Sequence, residues 1–230
     1  MTIAFRAAAV AANGAAPTSI GVAKPTGTTD GDLLLAFVVI SADKEISAAP
    51  DGWALLASAN TGTATGDCRH HAYWKIAAGE GSSYTWTFSG TADTAAAVLA
   101  YSGASSDNPV QTSATQLMAG SSDDHTAPSV TPSTASTWAV YAIGVNPVYD
   151  GNTTFTTPSG LTARAEADPG AGTTNRAVLK VFDQALSSAA ATGAKTTTLN
   201  NSAKGVGITV VIAPSGAVEQ VVVLDSRAAV

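Results

Sequence analysis

Apolar positions along this chain come in short runs, and most of the runs alternate. Ser83 to Ser89 is the clearest: Tyr84, Trp86 and Phe88 take one side, and Ser83, Thr85, Thr87 and Ser89 take the other. Side chains of a strand point alternately to the two faces of a sheet, so this period predicts a strand with one apolar face. Cys68 to Ala77 has the same period. Cys68, His70, Ala72, Trp74 and Ile76 share the face expected to be core, and Arg69, His71, Tyr73, Lys75 and Ala77 share the other. Leu33 to Ile40 is apolar without a break, and its β-branched end, Val38-Val39-Ile40, predicts a strand covered on both faces. Trp138 to Val145 has the same unbroken character. Thr2 to Val10, Thr18 to Ala23, Ala95 to Tyr101 and Val110 to Met118 read as further strands. The Ala-rich stretch Thr94 to Ala100 is too short, and too close to β-branched neighbours, to predict a helix.

Turn residues separate these runs. Asn13-Gly14, Asp30-Gly31 and Pro50-Asp51-Gly52 each mark a reversal. The third is matched by Pro158-Ser159-Gly160. Trp53 follows one and Leu161 the other, and both are expected to fold an apolar side chain back over the end of a sandwich. The match extends further. Thr26 with Thr131, Asp51 with Ser159, Arg69 with Arg176 and Ala97 with Ile208 stand 105, 108, 107 and 111 residues apart. A nearly constant offset with the elements in the same order predicts an internal repeat. The expected fold is all-β: a jelly-roll-like antiparallel β-sandwich with two quasi-repeated halves, about 24–104 and 129–214. The stretch from Asp107 to Pro132 is read as the crossover between them. One domain over 1–214 is expected, because each half has only about five good strands and its unbroken apolar strand needs cover on both faces.

Composition narrows the function. Charged residues make up 12% of the chain and the net charge is -6, with no cluster of Lys or Arg, so a nucleic-acid partner is not expected. A single cysteine, Cys68, rules out an intrachain disulfide. The opening residues, rich in Ala with Arg6, lack the Leu-rich core of a signal peptide and read better as a first strand. No apolar run reaches the roughly 18 residues of a membrane span, so no membrane partner is expected.

Candidate chemistry is thin. His70 and His71, adjacent on one strand, point to opposite faces and cannot chelate one ion together, and Asp67 and the group Asp123, Asp124 and His125 do not complete a metal set. One histidine of the adjacent pair is expected to be buried and the other exposed. Cys68 and His70 share a face but lack the third group that orients a nucleophile–base pair. No G-x-S-x-G occurs, and no two acids share a strand face as a glycosidase pair would. Neither catalytic, cofactor-binding nor metal residues are expected. Tyr73, on the face opposite Trp74, and Tyr149, in a loop, are the candidates for stacking on a glycan. Trp53, Trp74, Trp86 and Trp138 are placed in the core by their spacing. The segment after Pro214 carries Val218, Val221, Val222, Val223 and Leu224 and has no counterpart in the first half. A strand without a place in its own sandwich is expected to act as an arm, 215–230, that pairs with an edge strand of a neighbour.

Taken together, Asp32 to Leu35, Pro50 to Trp53, Tyr73 to Lys75, Tyr84 to Ser89 and Tyr101 to Val110 resemble a β-sandwich module of tailed-phage virion proteins. The resemblance runs over nearly the whole chain, and it implies a fold and no catalytic residues. It also implies a minor tail, fibre or head-decoration protein on a virion surface, with other virion proteins and further copies of itself as partners. A glycan-binding adhesion module, on a virion or a cell surface, is the alternative.

Overall fold

Thirteen strands account for the regular structure, a computed structural model that describes residues 2–41, 44–148, 151–170 and 176–216. The first half of the chain supplies β1 (Ala4–Asn13), β2 (Ser19–Ala23), β3 (Leu33–Ser41), β4 (Ile46–Ala48), β5 (Ala54–Asn60), β6 (Cys68–Ile76), β7 (Ser83–Phe88) and β8 (Thr94–Ser102). The second supplies β9 (Val110–Ala127), β10 (Thr137–Pro147), β11 (Thr162–Ala167), β12 (Val178–Leu186) and β13 (Lys195–Ile212). No helix occurs among the described residues, and every strand pairing is antiparallel. The chain is an all-β sandwich.

The repeat is written in the strand order. One five-stranded sheet runs β1-β8-β3-β6-β5, and the other, read from its far edge, runs β9-β13-β10-β12-β11. The irregularities repeat as well. In β1 the register slips between Phe5 and Ala7, leaving Arg6 over; in β9 it slips between Val110 and Thr112, leaving Gln111 over, 105 residues later. In β5 Leu56 is the extra residue and in β11 it is Arg164, 108 residues later. A bulge bends its strand and raises the local twist, so the same bulge in the same place gives the two sheets the same curvature. The two tight turns also agree: Trp53 N–H donates to the Pro50 carbonyl and Leu161 N–H to the Pro158 carbonyl, with Gly52 and Gly160 both at φ 79°.

Two expectations are corrected here. The stretch after Asp107 is not a crossover, because β9 fills the role of β1 and begins the second copy; the repeats therefore span about 4–104 and 110–214. Arg69 does not align with Arg176. Tyr73 pairs beside the β5 bulge and Phe182 beside the β11 bulge, 109 residues apart, and this places Val178 opposite Arg69. The shift of two preserves which residues face inward.

Each sheet draws its strands from one half only, and the halves meet face to face. Leu33, Leu35, Phe37 and Val39 of β3 share one buried cluster with Val140 and Ala142 of β10 and with Val206, Ile208 and Val210 of β13. β1 lies over β11 and β5 over β9, the exchange a two-fold axis between β3 and β10 would produce. The alternate residues of β3, Leu34, Ala36, Val38 and Ile40, pack on a third sheet, β2-β7-β4, through Ile20, Val22, Tyr84, Trp86 and Phe88. This explains the unbroken apolar run: β3 is the middle strand of a middle layer. β10 is covered in the same way, by Val140 and Ala142 on the inside and by Ala139, Tyr141, Ile143 and Val145 on the outside.

The second outer layer is built differently. β9 and β13 each continue past their five-stranded sheet, so that Ala127 pairs with Lys195 and Thr198 with Asp124, while Phe155 bridges Leu199 as Ile46 bridges Phe88. Threonines replace the aromatics there, and glycines close the gap. A Cβ on Gly207 would collide with the Thr126 carbonyl oxygen, and one on Gly205 would lie 2.7 Å from the Gly144 carbonyl oxygen. Overpacking of this kind typically costs about 1–3 kcal/mol, so Gly207→Ala is expected to lower the denaturant midpoint, whereas Gly120→Ala, at a position with open space, is expected to leave it unchanged. Trp86 is fully buried beneath the third sheet. Removal of such a ring costs about 3–5 kcal/mol, and Trp86→Ala should show that loss in thermal unfolding.

Candidate functional site

The histidines and Cys68 are placed by the alternation of β6. His70 faces the second five-stranded sheet, where its Nδ1 lies 3.0 Å from the Val206 carbonyl oxygen and a Cβ on Gly144 would touch its ring. His71 faces the other way and stacks on Tyr73. The opposite facing is as expected, but both rings are buried, since the middle sheet has no solvent face. Burial drives the His70 imidazole down to about 4 and the His71 imidazole down to about 3. Burial likewise lowers His125, against the hydrogen bond of its Nε2 to the Ser122 carbonyl. Cys68 is fully buried, and desolvation raises its thiol to about 12, so it does not supply a thiolate. Asp123 and Asp124 accept hydrogen bonds from Ser202 and Thr198 across the β9–β13 ladder. Among the described residues no three of His, Cys, Asp or Glu come together as a metal set.

Tyr73 does not offer a stacking face. Its ring is buried against His71 and Trp86 beneath the third sheet, because the face opposite Trp74 is itself core. Tyr149 and the arm residues Val218, Val221, Val222, Val223 and Leu224 lie outside the described residues. Near the end of the described residues, Pro214 bridges Ala104 and Ser215 N–H donates to the Gly103 carbonyl.

Several polar groups sit between the halves, and of these the sequence singled out only Asp67. Asp183 is fully buried on β12; its Oδ1 accepts from Arg164 Nε at 2.7 Å and its Oδ2 from Tyr101 O–H at 3.0 Å. The Arg164 guanidinium also lies over the Phe5 ring at 4.3 Å. Tyr101 and Phe5 belong to the first half, Asp183 and Arg164 to the second. Elsewhere in the interface Lys204 Nζ donates to Asp67 Oδ1 at 2.8 Å, and Asn146 Nδ2 donates to the Asp67 backbone carbonyl at 2.6 Å. Burial alone would raise the Asp67 carboxyl, but hydrogen bonds from Lys204, the Ala64 N–H and Thr61 hold it below the ordinary aspartate value. A third buried ion pair lies within the second half: Arg176, fully buried, binds Asp168 at 2.8 Å, Thr153 at 3.1 Å and the Gly151 carbonyl, and so fixes the connection from β10 to β11.

Two surface features remain. An open groove of about 280 Å³ runs between the β5 and β9 edges, lined by Leu56, Trp74, Asp107, Asn108 and Gln111 among others. It continues into a polar hollow of about 250 Å³ that adds Ser105, Ser133 and Thr134. The second feature is the outer edge of β9. From Val110 to Ser122 it carries no charged residue and no proline, and β13 is its only sheet neighbour among the described residues. The other edges are shorter, and two are charged: β1 carries Arg6, and β11 carries Arg164 and Glu166. No family model, curated protein or solved structure matches the chain.

Proposed function

We propose that the protein is a non-enzymatic virion structural protein that decorates the head or tail of a bacteriophage and assembles through its sheet edges. The motifs from Asp32 to Val110 support the virion reading by resemblance. The observation that carries the assembly reading is the bare edge of β9. Natural edge strands usually carry Lys, Pro or a shield against pairing, and an edge without them is a template for another strand. The rest of the body suits a load-bearing role: two like five-stranded sheets packed over one apolar interface, with ion pairs buried beside it. Gold-labelled antibody against the protein, applied to particles purified from its source, is expected to mark the outside of the head or tail. Unmarked particles would end this reading. In solution, Leu117→Lys on the β9 edge, where Leu117 is 53% exposed, is expected to weaken self-association in sedimentation while leaving the melting temperature unchanged.

A second reading, glycan binding, rests on the groove beside Trp74. Trp74, expected in the core but only partly buried, lines that groove with Asp107, Asn108 and Gln111, and an aromatic side chain beside polar groups is the chemistry that holds a sugar ring. A glycan array separates the readings: a signal abolished by Asn108→Ala would favour adhesion, and a blank array favours assembly.

A further inference from the structure

Asn146 and Lys204 are direct partners across the antiparallel pair of β10 and β13. Opposed residues project to the same face of a sheet, with Cβ atoms about 4.5–5.5 Å apart. That face is the inward one, since Ala142 lies on it in β10 and Val206 and Ile208 lie on it in β13. Asp67 comes to both from the other half, as its carboxylate receives Lys204 and its backbone carbonyl receives Asn146. Asn146 and Asp67 are 1% and 2% exposed. A primary amine, a primary carboxamide and a carboxyl group thus converge at one place, the last two shut off from water and the Lys204 side chain 27% exposed. These are the reactants and the proton carrier of an amide exchange.

We propose that Lys204 and Asn146 become joined by an intramolecular amide bond, with Asp67 carrying the protons. Asp67 takes one proton from the Lys204 ammonium. The Nζ lone pair then attacks Cγ of Asn146, forming the Nζ–Cγ bond and placing the carbonyl electrons on Oδ1. Asp67 returns its proton to Nδ2 and accepts one from the attacking nitrogen. As the carbonyl re-forms, the Cγ–Nδ2 bond breaks and ammonia leaves. No oxidant, reductant or further reactant is consumed. The ammonium–carboxylate pair is the resting state, so the step is slow, but it occurs only once in each molecule. Fixed reactants gain an effective molarity on the order of 10⁵–10⁸ M over the same groups free in solution. The product ties β10 to β13 beside the interface, a covalent staple in a chain with no disulfide.

The test is the intact mass of the purified full chain, incubated until the mass stops changing, followed by peptide mapping. The expected result is a loss of one ammonia, resistance to trypsin after Lys204, and one branched peptide containing both Lys204 and Asn146. The branched peptide is the decisive readout, because Asn13-Gly14 can also lose ammonia by closing on the next backbone nitrogen. Asn146 cannot close in that way, since Pro147 has no N–H. Lys204→Arg keeps a cation beside Asp67 and is expected to fold without the link, and Asp67→Asn to fold and link far more slowly. Separate, unbranched peptides for Lys204 and Asn146 in the wild type would overturn the proposal. So would loss of water with Lys204 joined to Asp67, which would make Asp67 the acceptor.

Discussion

Acidification from pH 7 to pH 4.5 is expected to strip the protein of much of its stability. His70 and His71 sit neutral in the core, with folded values of about 4 and about 3 against 6.5 for the free side chain. Between those limits the unfolded chain binds protons that the folded chain refuses, so stability falls as pH falls. The loss begins near 6.5 and continues down through the folded values. One pH unit per group is worth about 1.4 kcal/mol, so the two histidines together withdraw on the order of 5 kcal/mol by about pH 4. His125 acts in the same direction. Asp67 and Glu80, held below their ordinary values by their lysine partners, add to the loss only at lower pH. Chemical unfolding at pH 7 and pH 4.5 checks this. His71→Phe, which replaces a buried ring whose two nitrogens lack hydrogen-bond partners, should leave stability at pH 7 equal or higher and shrink the acid loss. An unchanged acid loss in that variant would show that His71 is not its source.

Asp183→Ala is the substitution expected to cost most among the charged residues. Asp183 is fully buried, and its carboxylate binds Tyr101 from the first half and Arg164 from its own. Deletion of one partner of a buried pair leaves the other without compensation and typically costs about 3–5 kcal/mol. Tyr101 sits in the shared core, so its hydroxyl would be stranded there. Tyr101→Phe should cost far less, because it removes the hydroxyl together with its need for a partner. A double-mutant cycle of the two substitutions measures the contact between the halves directly, and a coupling energy near zero would contradict the role assigned to it.

Period two and turn chemistry made the strands legible. Tyr84, Trp86 and Phe88 announced a one-sided strand, and Leu33 to Ile40 announced a strand covered on both faces. Three of the four repeat landmarks, at offsets of 105, 108 and 111, agree with the strand registers. Arg69 and Arg176 misled because they share a residue type but not an environment: Arg69 pairs with Glu45 near the surface, while Arg176 is enclosed. Tyr73 departs from its expected exposure because its strand belongs to a middle layer with no wet face. The first half of β9, Val110 to Met118, was legible as a strand, but the Ser, Gly and Asp content that follows hid its continuation to Ala127, and its role as the first strand of the second copy depends on a partner that the sequence does not show. The interface charges left one signal in the sequence. Asp183 falls on the same parity as Leu179 and Val181, and an acid on a core face requires a partner. Which partner it finds depends on how the two sheets face each other, and no single strand encodes that.

The two halves of the chain share one core, and cutting the chain between them tests this most directly. A protease site placed in the connection between β8 and β9, at Ser106-Asp107 on the surface, allows the folded protein to be nicked. The faces that meet between the halves are lined by Leu33, Leu35, Phe37, Val140, Ile208 and Val210, all buried. Exposure of so much apolar surface would be strongly unfavourable. The nicked halves are therefore expected to stay together through gel filtration and to unfold in one transition. Two separate, stably folded fragments with their own transitions would contradict it.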